Sequence, residues 1–235
     1  METLHLVIAE AALELVPKVI QGHPAVRRHA SKLGKRPGEI LLDRSHHHWA
    51  MRDLPDSLKR GRPDIVHFIL LEALGSPLNM MGRLRTWVAT YDDHVLELSP
   101  RTRLPRVYER FKGLVEKLYV DGEVRTESGE RLMALRHMTL QSLVAEIKPD
   151  KIILLSEKGE RLSLRALAGE LHKNSEPMAI IGGFPHSGFR PETMALADKI
   201  VSIFEAPLEA WVAASRLLCA VEEMLKGDIG PSPTL

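Results

Sequence analysis

Cysteine is almost absent: Cys219 is the single one in 235 residues. That excludes an intramolecular disulfide framework and fits a reducing compartment, so a cytoplasmic protein is expected. Cys219 lies in an apolar stretch, which predicts a buried structural thiol rather than a nucleophile. No hydrophobic run approaches the ~18–20 residues that span a bilayer, and no signal-peptide pattern opens the chain, so no membrane partner is expected. An excess of one charge sign is missing too. The formal net charge is +1, so any nucleic-acid binding must come from local clustering. Repeats and low-complexity tracts are absent, and only residues 227–235 read as a flexible tail.

What is present begins with Leu4–Ala9, a short apolar strand. His23-Pro24 and the basic run through Arg27, Arg28, Lys32, Lys35 and Arg36 predict a solvated helix, ended by Gly34 and the Arg36-Pro37-Gly38 turn. Glu39–Asp43 is expected to form a second buried strand. Behind it come His46, His47 and His48, consecutive residues that do not readily converge on one ion from a regular element. A hydrogen-bonded loop is therefore expected there rather than a metal site. Arg60-Gly-Arg-Pro-Asp64 then opens an apolar helix. Pro63 suits its first position, and the helix dipole alone would account for Asp64. Leu84–Thr90 and His94–Leu98 read as a hairpin.

The segment Ser99–Arg110 carries four arginines within ten residues against one acid, Glu109. With a helix starting near Pro105, Val107, Phe111, Leu114 and Leu118 form a buried stripe. Arg103, Arg106 and Arg110 would then flank one edge of it. Clustered guanidinia suit phosphate and base contacts, and the scarcity of balancing acids favours RNA over a solvated face. Val120–Arg136 reads as a loop or hairpin, and Leu140–Ile147 as a short helix.

From Lys151 the pattern turns regular: strand Lys151–Leu155, helix Leu162–His172, strand Met178–Ile181, helix Pro191–Ala197, strand Lys199–Phe204, helix Leu208–Leu225. Such alternation predicts an α/β fold with a mostly parallel sheet. Gly182-Gly183 closes one strand, where backbone N–H groups can approach a ligand with no Cβ in the way. Another strand ends before Pro207. Two loops at neighbouring strand ends make a small-molecule site; a plain turn is the rival reading.

Taken together, Leu42-Asp-Arg-Ser-His-His-His-Trp-Ala-Met51, Arg60-Gly-Arg-Pro-Asp64, Gly75-Ser-Pro-Leu-Asn79, Leu104-Pro-Arg106, Arg110-Phe-Lys-Gly-Leu114, Ile181-Gly-Gly-Phe-Pro-His186 and Ile200-Val-Ser-Ile203 resemble the archaeal-type pseudouridine-N1-methyltransferases of small-subunit ribosomal RNA, in the SPOUT superfamily. The resemblance implies a single SPOUT-type domain over residues 1–226, with a C-terminal trefoil knot and insertions around 44–64 and 84–136. It also implies a homodimer, with small-subunit rRNA as substrate and ribosomal proteins of the small subunit as further partners.

S-adenosylmethionine would sit in loops 154–157, 182–187 and 200–208. Its contacts would be Leu155, Gly182, Gly183, Ser187, Ile200, Val201, Ser202, Ile203, Phe204, Glu205 and Leu208. Arg62 and Asp64 are the expected catalytic pair, and they join Arg103, Arg106 and Arg110 on the RNA surface. The family usually has glycine and then an acid after Pro185-His186, where this chain has Ser187-Gly188. Backbone contacts survive that change; a side-chain role of the acid does not. A Rossmann-type methyltransferase is disfavoured, because no G-x-G-x-x-G follows the first strand. A non-catalytic rRNA-binding assembly factor and a tRNA-directed enzyme stay open as alternatives.

Overall fold

Every residue of Leu4–Ala11 (β1) is buried, as a central strand covered on both faces requires. In this computed structural model, which describes residues 1–226, the chain continues through α1 (Pro24–Lys32), α2 (Arg44–His47), α3 (Pro63–Gly75) and α4 (Pro77–Met80). Next come β2 (Leu84–Thr90), β3 (His94–Leu98), α5 (Tyr108–Asp121), β4 (Glu123–Arg125), β5 (Arg131–His137) and α6 (Leu140–Ile147). The last part alternates: β6 (Ile152–Arg161), α7 (Leu164–His172), β7 (Met178–Gly182), α8 (Pro191–Met194), β8 (Lys199–Ser202) and α9 (Ala210–Lys226). The expected tail, 227–235, lies outside the described residues.

The strands form one sheet in the order β4-β5-β3-β2-β1-β7-β6-β8. β2, β1, β7, β6 and β8 run parallel, and β3, β5 and β4 extend the sheet antiparallel. The pleat sorts the core. Leu4, Leu6 and Ile8 face α3, α5, α7 and α9, while Val7 and Ala9 face Leu140 and Leu143 of α6 on the other side. Helix starts follow ordinary capping: the Ser163 hydroxyl accepts from Ala166 N (3.2 Å), Thr139 accepts from Ser142 N (3.2 Å), and Pro63 opens α3.

Three expectations need correction. Glu39–Asp43 is not a sheet strand. Its residues follow a 3-10 turn and make only an isolated bridge, Leu15 to Leu41. Side chains replace the missing neighbour: Leu41 N donates to Glu116 of α5 (2.9 Å), and Lys112 (3.0 Å) and Tyr108 (3.1 Å) hold Asp43. Secondly, α5 starts at Tyr108 rather than near Pro105. Val107 is 56% exposed, and the buried face is Phe111, Val115 and Leu118. Arg103 and Arg106 therefore precede the helix, and only Arg110 lies on it. Lastly, Cys219 is exposed, because α9 buries Ala214, Leu217, Leu218 and Val221.

The histidine run forms α2 and a turn. Asp43 caps the helix by accepting from Ser45 N (2.9 Å). Nδ1 of the buried His47 accepts from Asp43 N (3.1 Å), so its Nε2–H donates to Nδ1 of His29 (2.9 Å). Burial first, then the charge of His29, lowers the His47 pKa to about 4. That value lies below the ordinary ~6.5, so the unfolded chain binds more protons between the two. The stability contributed by neutral His47 is complete above about pH 6.5 and is lost as pH falls toward 4, up to about 3 kcal/mol. Denaturant unfolding at pH 7 and pH 4.5 should show a smaller acid loss in His47→Gln than in the parent. Equal losses would place the acid sensitivity elsewhere.

Candidate active site

Parallel strands β6, β7 and β8 end side by side, and the chain leaving them encloses a cleft of about 390 Å³. Its floor is Leu155, Ile181 and Val201; its walls are the loops around Phe184–Phe189 and Ser202–Glu209, closed by Ala210 and Ala213 of α9 and by Arg62 and Ile65 at the start of α3. Within the described chain, the backbone N–H groups of 184, 186–189, 203–206 and 208 make no hydrogen bond, so they are free to serve a ligand; Pro185 and Pro207 have no N–H.

Of the expected cofactor contacts, Leu155, Gly182, Ser187, Val201, Ser202, Ile203, Phe204 and Leu208 line this cleft. Gly183, Ile200 and Glu205 do not. Gly183 is committed to β1: its N–H donates to Ala9 O (2.9 Å), its carbonyl accepts from Ala12 N (2.8 Å), and a Cβ would lie 2.7 Å from Ile8. Ile200 packs into the core on the opposite face of the sheet, and the exposed Glu205 points toward Arg161 (4.0 Å). Arg62, expected as a catalytic residue, walls this pocket as well. Sequence reasoning missed Ile65 and Ala213, which helices α3 and α9 bring from distant parts of the chain, and Phe189, which the loop after β7 folds back onto the cleft.

Arg62 and Asp64 meet in a bidentate pair (2.8 and 2.7 Å) that is about one-third exposed. The Asp64 carboxylate raises the already high Arg62 pKa. Asp64 does not itself line the cleft; its contact with it runs through Arg62, which does. The arginine segment is pinned nearby. Asn79 Nδ2 donates to Pro100 O (2.9 Å), Thr102 Oγ1 donates to Leu132 O (2.7 Å), and Nε2–H of His67 donates to Pro105 O (2.8 Å). Thus the Gly75–Asn79 motif and α3 shape the loop that presents Arg103 and Arg106. Those two and Arg110 are exposed, and none has an acidic partner among the described residues.

The family model for "EMG1/NEP1 methyltransferase" matches residues 6–222. The chain belongs to the EMG1/NEP1 methyltransferase family. It is 42% identical over 223 residues to the ribosomal RNA small subunit methyltransferase Nep1 of Staphylothermus marinus, covering 95% of this chain and 96% of that protein. With the Nep1 of Thermococcus kodakarensis it shares 44% identity over 223 residues, 94% and 99% of the two chains. A crystal structure of Archaeoglobus fulgidus Nep1 bound to S-adenosylhomocysteine has a TM-score of 0.83 and 38% identity, covering 95% of this chain and 98% of that one. The resemblance read from the motifs therefore holds for the family and for its α/β methyltransferase fold.

Ser187, where the motif resemblance leads to an expectation of glycine, sits in the left-handed region at φ 87°, and Gly188 follows at φ 67°. An L-residue there stores strain of about 1–2 kcal/mol. Ser187→Gly should raise the unfolding free energy by about 1 kcal/mol in denaturant titration. A decrease would mean that the serine side chain stabilises the loop by more than its backbone costs.

Proposed function

We propose that this chain methylates N1 of a pseudouridine in a loop of small-subunit ribosomal RNA, using S-adenosylmethionine, as a step in small-subunit ribosome biogenesis. The observation that carries this reading is the position of Arg62, which walls the same cleft as the free amides of the two strand-end loops. The volume falls in the range of small-molecule sites, roughly 300–1,000 Å³. Leu155, Val201 and Leu208 suit a purine ring, the amides suit its acceptor atoms, and Glu157 and Glu209 suit a cationic centre. These residues fit S-adenosylmethionine, which when bound supplies a methyl group on a positively charged sulfur.

The protein's own task is positioning. Holding the attacking ring nitrogen in line contributes about 7–11 kcal/mol in well-oriented systems. N1 of pseudouridine carries a proton that must leave. In this reading Asp64, partly exposed and bonded to the cleft residue Arg62, accepts or orients that proton, while the guanidinium stabilises negative charge on the ring carbonyls. Arg103, Arg106 and Arg110 hold the flanking phosphates, and the target base is splayed from its loop.

Residues 1–226 act as one methyltransferase unit. The C-terminal strands carry the trefoil knot that the family resemblance implies, a reading that the pairing of Val201 of β8 with both Leu155 and Glu160 of β6 supports. A second copy covers the apolar strip where exposed Phe68 meets Trp211 edge-on (5.2 Å). Encounters with small-subunit ribosomal proteins take place in the cytoplasm.

Tritiated methyl incorporation into a pseudouridine-containing RNA hairpin, beside binding of the same RNA, tests the activity. Binding without incorporation would favour a non-catalytic assembly factor, and a preference for tRNA would redirect the substrate. Asp64→Asn should lower turnover about 10²–10⁴-fold while leaving the calorimetric heat of S-adenosylhomocysteine binding unchanged. Full turnover in that variant removes the proton-handling role. Replacing Arg103, Arg106 and Arg110 together by Gln should flatten the slope of log affinity against log salt by about 2, given ~0.7 per single-strand phosphate contact. An unchanged slope puts the RNA surface elsewhere.

A further inference from the structure

A buried network of charges lies between the cleft and the Arg62 turn, and the chemistry above leaves it unused. Its centre is Glu10, at the exit of β1, where the register with β2 breaks between Ile8 and Ala11. Glu10 adopts φ 49°, a left-handed conformation unusual for its residue type, and is 5% exposed. One carboxylate oxygen accepts from the Arg190 amide (2.8 Å), and the other is paired with Nζ of Lys59. That ammonium, also buried, stands 4.3 Å from the ring centroid of Phe184, a wall of the cleft. Glu10 and Lys59 therefore grip both ends of the loop from Phe184 to Arg190.

Lys59 also belongs to the segment that leads into the Arg62 turn. Its neighbour Arg60 makes a bidentate pair with buried Glu14 (both bonds 2.7 Å). The guanidinia of Arg60 and Arg190 each lie 4.5 Å from the ring centroid of Tyr91. The Tyr91 hydroxyl donates to Asp56 (3.0 Å). Gly61 then turns at φ 71°, its carbonyl bonded to Arg44 N (2.9 Å), and delivers Arg62. The 184–190 loop and the Arg62 turn thus share one set of buried charges.

We infer that Glu10 and Lys59 are positioning residues that couple the cofactor wall to the RNA-facing Arg62 turn, so that filling the cleft alters affinity for RNA. Core stability gives weak reason for such an arrangement, because buried ion pairs are often replaceable by apolar residues at no loss. Backbone strain held by buried charges is instead a feature that collects at functional sites. Any ligand that shifts Phe184 pulls on Lys59, and Lys59 moves with Arg60 and Arg62. Coupling of this kind is reciprocal between the two ligands.

The inference rests on the methyltransferase reading, and one thermodynamic cycle separates the two. Affinity of the full chain for a pseudouridine-containing RNA hairpin is measured by anisotropy with and without saturating S-adenosylhomocysteine, in the parent and in Lys59→Met. The parent should show a ratio of about fivefold or more. In Lys59→Met the ratio should fall to near one, and Lys59→Arg should restore most of it. A role confined to stability would lower the melting temperature without changing the ratio. If Lys59→Met does not fold, Glu10→Gln combined with Lys59→Met removes both charges together and is read in the same way. A preserved ratio in a folded variant, or a parent that binds both ligands independently, overturns the coupling and leaves the methyltransferase reading intact. A parent that does not bind S-adenosylhomocysteine overturns both.

Discussion

β8 meets β6 twice, and the cleft depends on that contact. Val201 is paired with Leu155 before the chain bows outward and with Glu160 after it returns. The return is possible because residue 159 is glycine: a Cβ there would lie 2.5 Å from the Val201 backbone, which cannot yield as a flexible side chain can. The bow contributes Ser156 and Glu157 to the cleft, and the end of β8 contributes Ser202 and Ile203. A backbone contact this tight places the two loops together without any side chain spanning the pocket, leaving their amides for a ligand.

Charge organises the opposite half of the molecule. The pairs Glu10–Lys59, Glu14–Arg60 and Asp43–Lys112 are all buried, and each joins segments distant in sequence. Apolar packing alone would leave residues 37–62 loosely specified, because that stretch contains only short helical turns and one isolated bridge. Directional hydrogen bonds to carboxylates fix it instead, at a desolvation cost visible in the raised pKa of Glu14, where burial outweighs the attraction of Arg60. The Arg62–Asp64 turn inherits its position from this framework, while its own ion pair stays open to solvent and substrate.

Much of the fold was legible because apolar periodicity and local punctuation agree. The alternation from Lys151 onward carries buried runs such as Ile152–Leu155 and Met178–Ile181, set off by caps at Ser163 and prolines at 177 and 191. Elsewhere local reading misled. Ile40-Leu41-Leu42 is apolar enough for a strand, but burial against α5 and α1 satisfies the same composition without a sheet neighbour. Arg103, Arg106 and Arg110 have helical spacing, yet Pro105 precedes the helix and its carbonyl is held by His67 of α3. Cys219 has apolar neighbours on either side, but a 3.6-residue period turns it outward while Leu217, Leu218 and Val221 turn in.

The candidate site divides along the same line. Residue types and their order were sufficient to mark the strand-end loops, the glycine doublet, the Arg-Gly-Arg-Pro-Asp turn and the family, since each depends on short-range chemistry that a linear text carries. Only tertiary structure decided that Gly182 meets the cleft while Gly183 is spent on β1, that Arg62 lines the cleft while Asp64 does not, and that Lys59 reaches both Glu10 and Phe184. Those assignments depend on which distant backbone or charge arrives beside each residue. Chain crossing sets that proximity, and no local pattern of side chains encodes it.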